Sequence, residues 1–211
     1  MLAAIAAGHE LDTIFAVVGD PVVEDLSGVS YVSEEVLERL APTQHPRGPI
    51  AIMRIPASAR VSRSCLLLWG VGDPGNMGTL IRSAAAFGMD VAVDSRSTDP
   101  WSPKTLRAAA GGHFRTAIER EATPESLQER GFTTVAAVPR GGIDPVELAC
   151  RDQIAIIVGP EAHGLPADVV AASDLLVTIP MPGDMESLNV GIAGAILAYE
   201  RSRHHLGRED T

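Results

Sequence analysis

An apolar run of strand length, Ile154 to Val158, ends in a glycine turn that holds Gly159, Glu161, His163 and Gly164. A second run, Val177 to Ile179, closes on Pro180 and Met181; Ser187, Leu188 and Asn189 then lead into a helical stretch, 189–199, that is nearly free of charge. The pattern predicts two strand ends and one helix start meeting around a ligand. Gly159 and Gly164 would let backbone approach it with no side chain between, and Ser187 or Asn189 can cap the helix.

The alternation of strand, turn and helix begins at Cys65. A buried strand is predicted over 65–71, a turn at Asp73 to Gly75, and a helix capped by Asn76 that stops at Gly88. Strands over 91–93, 133–138 and 154–158 come next, with helices over 103–110 and 144–149 and a last one opening at Pro166 and ending near Ala172. Such alternation predicts a mostly parallel sheet with helices on both faces. The first sixty residues read as a smaller α/β piece: a helix to about Ala7, a strand over 13–18, a helix over 33–40 with Ser33 as N-cap, and a strand over 50–55. Pro42, Pro46, Pro49 and Pro56 punctuate its end, and a linker over 57–64 divides the chain into domains 1–60 and 61–211. The front piece is too short to bury a core comfortably, so it either packs on the rest of the chain or is shortened at its start.

With 45% apolar and 21% charged residues in 211, the chain is of the globular class. Its apolar opening reaches Glu10 and Asp12 too soon for a signal peptide or a membrane span, which predicts a cytoplasmic protein. Cys65 and Cys150 have neither disulfide-framework nor metal-ligand spacing; two buried thiols and no metal are expected. A net charge of −10 argues against a generally basic nucleic-acid binder, yet no acid occurs between Glu38 and Asp73, where Arg39, Arg47, Arg54, Arg60 and Arg63 lie. Between Asp99 and Glu119 the only charges are Lys104, Arg107 and Arg115. Each stretch alone would pass as ordinary solvated surface.

The chemistry gathers at the helix that opens at Asn76, where Arg82 stands one turn beyond Gly78 and Thr79, past the carboxyl end of a strand, the edge at which open α/β sheets bind ligands. No G-x-G-x-x-G follows a strand and no Gly-Lys-Ser/Thr closes a phosphate loop. His163 could be a base but also suits an ordinary polar turn, and Ser187 lacks a His/Asp partner at triad spacing.

Three segments together resemble the motifs of the SpoU/TrmH family of RNA ribose 2′-O-methyltransferases, of the SPOUT class. They are Asn76-x-Gly78-x-x-x-Arg82-x-Ala84-x-Ala86-x-Gly88, Gly159-x-Glu161-x-x-Gly164-Leu165, and Ile179-Pro180-Met181 with Ser187-Leu188-Asn189-Val190. In order and at family-like separations, they extend the resemblance over roughly 64–202. It implies an α/β fold with a C-terminal trefoil knot, preceded by a short, truncated-looking substrate-binding domain, and a homodimer. It also implies S-adenosylmethionine held around Gly159, Ile179, Met181, Leu188 and Pro139. Arg82, Asn76, Glu161, Ser187 and Asn189 would surround the reacting centre.

Methyl transfer from a sulfonium to a ribose hydroxyl needs an in-line oxygen, and positioning alone can lower the barrier by roughly 7–11 kcal/mol. Arg82, which stays protonated, would bind a phosphate and stabilise oxyanion character, with a phosphate oxygen, water or Glu161 accepting the proton. Gly191, Gly194, Ala195 and Ala198 form a small-residue face suited to close approach in a dimer. The substrate expected is RNA, ribosomal in preference to transfer RNA. The competing readings are a non-catalytic RNA-binding or ribosome-assembly protein that keeps the knot, and an α/β protein binding another adenosine-containing ligand.

Overall fold

The structure is a computed structural model that describes residues 1–41, 48–160, 163–183 and 185–206, with the side chains of 204–206 left aside. The chain forms two compact units, Met1–Ala57 and Ser58–Thr211. In the first, β1 (Thr13–Ala16) lies between β2 (Val29–Tyr31), parallel to it, and β3 (Ile50–Ile52), antiparallel. Helices α1 (Leu2–Ala6) and α2 (Glu34–Leu40) complete it. Ser33 caps α2 as predicted, its hydroxyl accepting from the Val36 amide at 3.3 Å. Along β1 the burial alternates, so Ile14 and Ala16 face a small core with Val23.

The second unit is a six-stranded parallel sheet in the order β6-β5-β4-β8-β7-β9. Its strands are β4 (Cys65–Leu68), β5 (Asp90–Val93), β6 (Ile118–Arg120), β7 (Thr133–Ala137), β8 (Ile154–Val158) and β9 (Leu175–Val177). Between them run α3 (Pro74–Ala86), α4 (Pro103–Ala109), α5 (Pro124–Gln128) and α6 (Ala167–Ala172), and α7 (Val190–Leu206) comes after β9. Alternate residues of β4 and β8 serve opposite faces. Leu66, Leu68, Ile154, Ile156 and Val158 pack with Leu80 of α3 and Leu197 of α7, whereas Cys65, Leu67, Ala155 and Ile157 pack with Leu127 of α5 and Val169 of α6. Burial on both faces is why these strands read as unbroken apolar runs.

Several boundaries differ from the sequence reading. Asp73, not Asn76, caps α3, its carboxylate accepting from the Asn76 amide at 2.9 Å, and Pro74 takes the first helical position. Pro166 is likewise the N-cap residue of α6 rather than part of its first turn. The strand expected to end at Ile-Pro-Met stops at Val177, ahead of Pro180, which has no N–H for a ladder. The short elements β2, β6 and α5 went unread; β6, Ile-Glu-Arg, carries two charges and no alternation to announce it. Strand β5 starts at Asp90, which is 1% exposed: its carboxylate accepts from the Ser62 and Arg63 amides and, at 2.7 Å, from the Arg63 guanidinium. Of the cysteines Cys65 is buried, and Cys150, expected to be buried, is exposed.

The small-residue face of α7 also has a different role. A side chain at Gly194 would run into Leu80, and one at Gly191 would come within 3.1 Å of Thr79. These residues seat α7 against α3 inside one chain. The exposed stripe is Ile192, Ala195, Ile196 and Tyr199, the outer two being exposed and the inner two half-buried.

Candidate functional site

The carboxyl ends of β7, β8 and β9 lie side by side in the sheet, and the segments that leave them enclose a cavity of about 560 Å³. Ala137, Val158 and Val177, the last residues of those strands, form its floor. Its walls come from Pro139, Gly159 and Pro160, His163 to Leu165, the segment around Ile179 and Met181, Glu186 to Leu188, and the first turn of α7. The five residues expected around a cofactor, Gly159, Ile179, Met181, Leu188 and Pro139, all line it, as does Ser187, expected at the reacting centre.

Packing inside the chain also requires glycine at position 159. A Cβ there would sit 2.9 Å from the side chain and the backbone nitrogen of Leu165, so the space it leaves is filled by the protein itself. Leu165, the last residue of the second motif, lines the cavity as well, and so do Val138, Glu186 and Ala193, which no motif contains. Ala193 was recoverable, since it stands one helical turn after Val190. Glu186 was not, because only the return of its loop over the strand ends brings it there. Glu161 lies outside the described residues.

Beside the cavity, two helix starts are joined. Asn189 donates from Nδ2 to Asn76 Oδ1 at 3.0 Å, while its own Oδ1 accepts from the Ile192 amide at 3.2 Å and so caps α7. The cavity-lining residues Leu188 and Val190 flank Asn189, so this bond fixes α3 relative to the cavity mouth. Arg82 lies beyond Asn76 on α3, exposed, and its side chain forms neither hydrogen bond nor ion pair with the described residues; it is outside the cavity lining. The Gly112 backbone packs on it, a Cβ there lying 3.1 Å from Arg82 Cα. The structure thus groups Asn76, Ser187 and Asn189 at one mouth and leaves Arg82 on the adjoining helix surface.

The cations of the two positive stretches are not equivalent. Arg63 is committed to Asp90 and Arg39 to Glu35, whereas Lys104 reaches Asp73 at 3.2 Å on the surface and Arg107 and Arg115 stand exposed. The N–H of Asn76 first, and then Lys104, hold the Asp73 carboxyl below the usual carboxylate range. His113 is buried beside Trp101 and donates from Nε2 to the Pro100 carbonyl at 2.6 Å; burial lowers its pKa and favours the neutral imidazole. Among the described residues no cluster of His, Cys, Asp or Glu could hold a metal ion, and no helix is long and apolar enough to cross a membrane.

Known proteins share this fold. Residues 63–199 match the SpoU rRNA Methylase family. The 23S rRNA (guanosine(2553)-2′-O)-methyltransferase RlmP of Bacillus subtilis is 35% identical over 173 residues, 80% of this chain and 70% of that protein. A crystal structure of an RNA 2′-O ribose methyltransferase superposes with a TM-score of 0.81 at 33% identity, covering 97% of this chain and 85% of that one. An AdoMet-bound rRNA methyltransferase from Sinorhizobium meliloti gives 0.80 at 27% identity over 96% of this chain and 84% of its own. With its glycine turn, its helix starts and its cavity at three parallel strand ends, this chain belongs to the SpoU rRNA methylase family.

Proposed function

We propose that the chain transfers a methyl group from S-adenosylmethionine to a ribose 2′-hydroxyl of RNA, ribosomal RNA in preference to transfer RNA. The observation that carries this reading is the cavity at the ends of β7, β8 and β9, with the Asn76–Asn189 bond at its mouth and Arg82 on the helix beside it. At about 560 Å³ the cavity is within the usual range for a cofactor site. Val158, Val177 and Leu165 offer apolar contact to a purine ring, and Glu186 offers a carboxylate to accompany a cationic ligand. The cofactor, when bound, supplies an electrophilic methyl group on a sulfonium.

The chain's own part is to place and polarise the hydroxyl. Arg82, with no partner among the described residues, is available to grip a substrate phosphate and steady the negative charge that grows on the ribose oxygen. Asn76, Asn189 and Ser187 flank that position, Glu161 is the protein group for the proton, and a phosphate oxygen or water is the alternative acceptor. The new bond joins carbon to the ribose oxygen, the sulfur keeps the pair of the broken bond, and the hydroxyl proton leaves.

The chain's course is that of a deep trefoil knot. In support, the segment after β7 runs along β9, with Ile143 donating to Leu176 at 2.8 Å and accepting from Thr178 at 3.1 Å, before α7 returns to α3. The front unit serves as an RNA-binding domain, the enzyme works as a homodimer through the stripe from Ile192 to Tyr199, and it acts in the cytoplasm. The test is incorporation of labelled methyl from S-adenosylmethionine into total RNA from cells lacking the gene, followed by mapping of the product. A 2′-O-methylated ribosomal nucleotide is expected. Absence of transfer to any RNA, or methylation of a base, overturns the reading.

A further inference from the structure

The next residue after β4, Trp69, packs against the same buried cluster as Leu165 of the cavity wall, and its indole N–H is buried with no hydrogen-bond partner among the described residues. Over it lies Arg96, whose guanidinium carbon is 4.2 Å from the ring centroid. The Arg96 side chain is nevertheless 57% exposed: the indole covers one face of the fork and the other is open.

That fork is held in place. Arg96 Nε donates to Asp94 Oδ2 at 3.0 Å, and Asp94 Oδ1 accepts from the Gly70 amide at 2.9 Å and the Ser97 hydroxyl at 2.6 Å. Val71 donates to the Ser97 hydroxyl oxygen and accepts from the Thr98 amide, both at 2.9 Å, so the loop carrying Arg96 is stitched to the end of β4. The same strand end sets the reacting region. A Cβ on Gly70 would be 3.7 Å from Pro160, another cavity-wall residue, and Asp73 caps the helix that carries Asn76 and Arg82.

We propose that Arg96, stacked on Trp69, is a platform for one nucleobase of the RNA beside the methylated nucleotide; this rests on the RNA-methyltransferase reading above. A planar cation fixed on one face and open on the other suits the π-face of a base. Asp94 offsets much of its charge, which makes a phosphate the poorer occupant and leaves the flat surface as the feature offered. Beside the platform a second cavity, of about 450 Å³, is lined by Asp94, Ser95 and Ser97, whose polar groups can meet a base edge.

The test uses the full chain with S-adenosylhomocysteine and fluorescence anisotropy of a short labelled oligoadenylate, beside an abasic oligomer of the same length. Arg96→Ala should weaken oligoadenylate binding by about 5- to 150-fold, the range for losing one stacked base, and leave the abasic oligomer unaffected. Arg96→Lys should be nearly as poor, since a point charge cannot stack. Wild-type-like binding by Arg96→Lys, or equal losses on both oligomers, would assign Arg96 to a phosphate and overturn the proposal. Trp69→Phe retains a ring under the fork and should keep most of the affinity; a loss as large as that of Arg96→Ala, at unchanged melting temperature, counts against the stack. Methyl transfer by the wild type separates the two levels. Transfer to RNA with no effect of Arg96→Ala on oligoadenylate binding sinks the platform alone, whereas no transfer to any RNA sinks the function beneath it.

Discussion

Replacing Arg82 with alanine should abolish most of the methyl transfer while leaving fold and cofactor site intact, because of where the side chain stands. It is exposed and makes no hydrogen bond or ion pair with the described residues, so its loss should change stability by no more than about 0.5 kcal/mol, the usual range at such a surface site. The packing it does provide is through backbone: Gly112 rests on Arg82 Cα, and alanine keeps that contact. The residue is also absent from the cavity lining, so affinity for S-adenosylmethionine should stay within about twofold, or roughly 0.4 kcal/mol. The transition state loses more. One preorganised stabiliser of developing charge accounts for ~10²–10³ in rate, or about 2.7–4 kcal/mol. Arg82→Lys should recover little, because the ammonium lacks the fork that holds two oxygens at once. Single-turnover transfer to ribosomal RNA, with calorimetric titration of the cofactor and a melting curve for each variant, gives the three numbers. Near wild-type transfer by Arg82→Ala would refute the reasoning outright. Lost cofactor binding at normal melting temperature would place Arg82 in the pocket and make Glu161 the leading group for activating the hydroxyl.

If the cavity takes the cofactor, S-adenosylmethionine and S-adenosylhomocysteine at a hundredfold excess over Kd should stabilise the fold by about 2.7 kcal/mol, and equal thermal shifts with ATP would contradict the assignment. Ile192→Glu, on the exposed stripe of α7, should halve the mass seen by light scattering from about twice the chain mass; a wild-type monomer at micromolar concentration defeats the dimer. Gly194→Glu, on the small-residue face of the same helix, would instead drive a side chain into Leu80 and damage the fold. Burial alone would raise the Asp90 pKa, but the Ser62 and Arg63 amides and the Arg63 guanidinium outweigh it and leave the carboxyl below its usual range. A lowered folded pKa means stability that is present above the unfolded value, about 3.9, and lost as pH falls through the folded one. Asp90→Asn should therefore cost about 1.5–3 kcal/mol at pH 7 and flatten the loss of stability below about pH 4 in urea titrations; an unchanged acid limb would exclude Asp90 as a source.

The sequence was most legible where a single physical requirement acts at short range. Strands β4 and β8 are buried on both faces, so every position must be apolar and the runs announce themselves. Ser33 before Glu34-Glu35 announces α2, because the cap is satisfied three residues away. The motif residues Gly159, Ile179 and Leu188 come after strand ends or precede a helix, and the carboxyl edge of a parallel sheet is where such residues meet. Strand β6, three residues of which two are charged, was not legible, since its pairing with β5 rather than its own pattern holds it in place.

By itself, then, the sequence determined the parallel α/β class and the motif residues Gly159, Ile179, Met181 and Leu188 that line the cavity, since each stems from periodicity, local hydrogen bonding or motif order. Only the tertiary structure decided what each residue faces. Asn76 and Asn189, 113 positions apart, meet because α3 and α7 pack together. Gly194 gives way to Leu80 of its own chain, Gly159 to Leu165, and Asp90 is tolerable in a buried strand because the Ser62 and Arg63 amides turn toward it. Such pairings depend on the path of the backbone through space, and a residue's spacing along the chain carries no record of the neighbour that the fold brings to it.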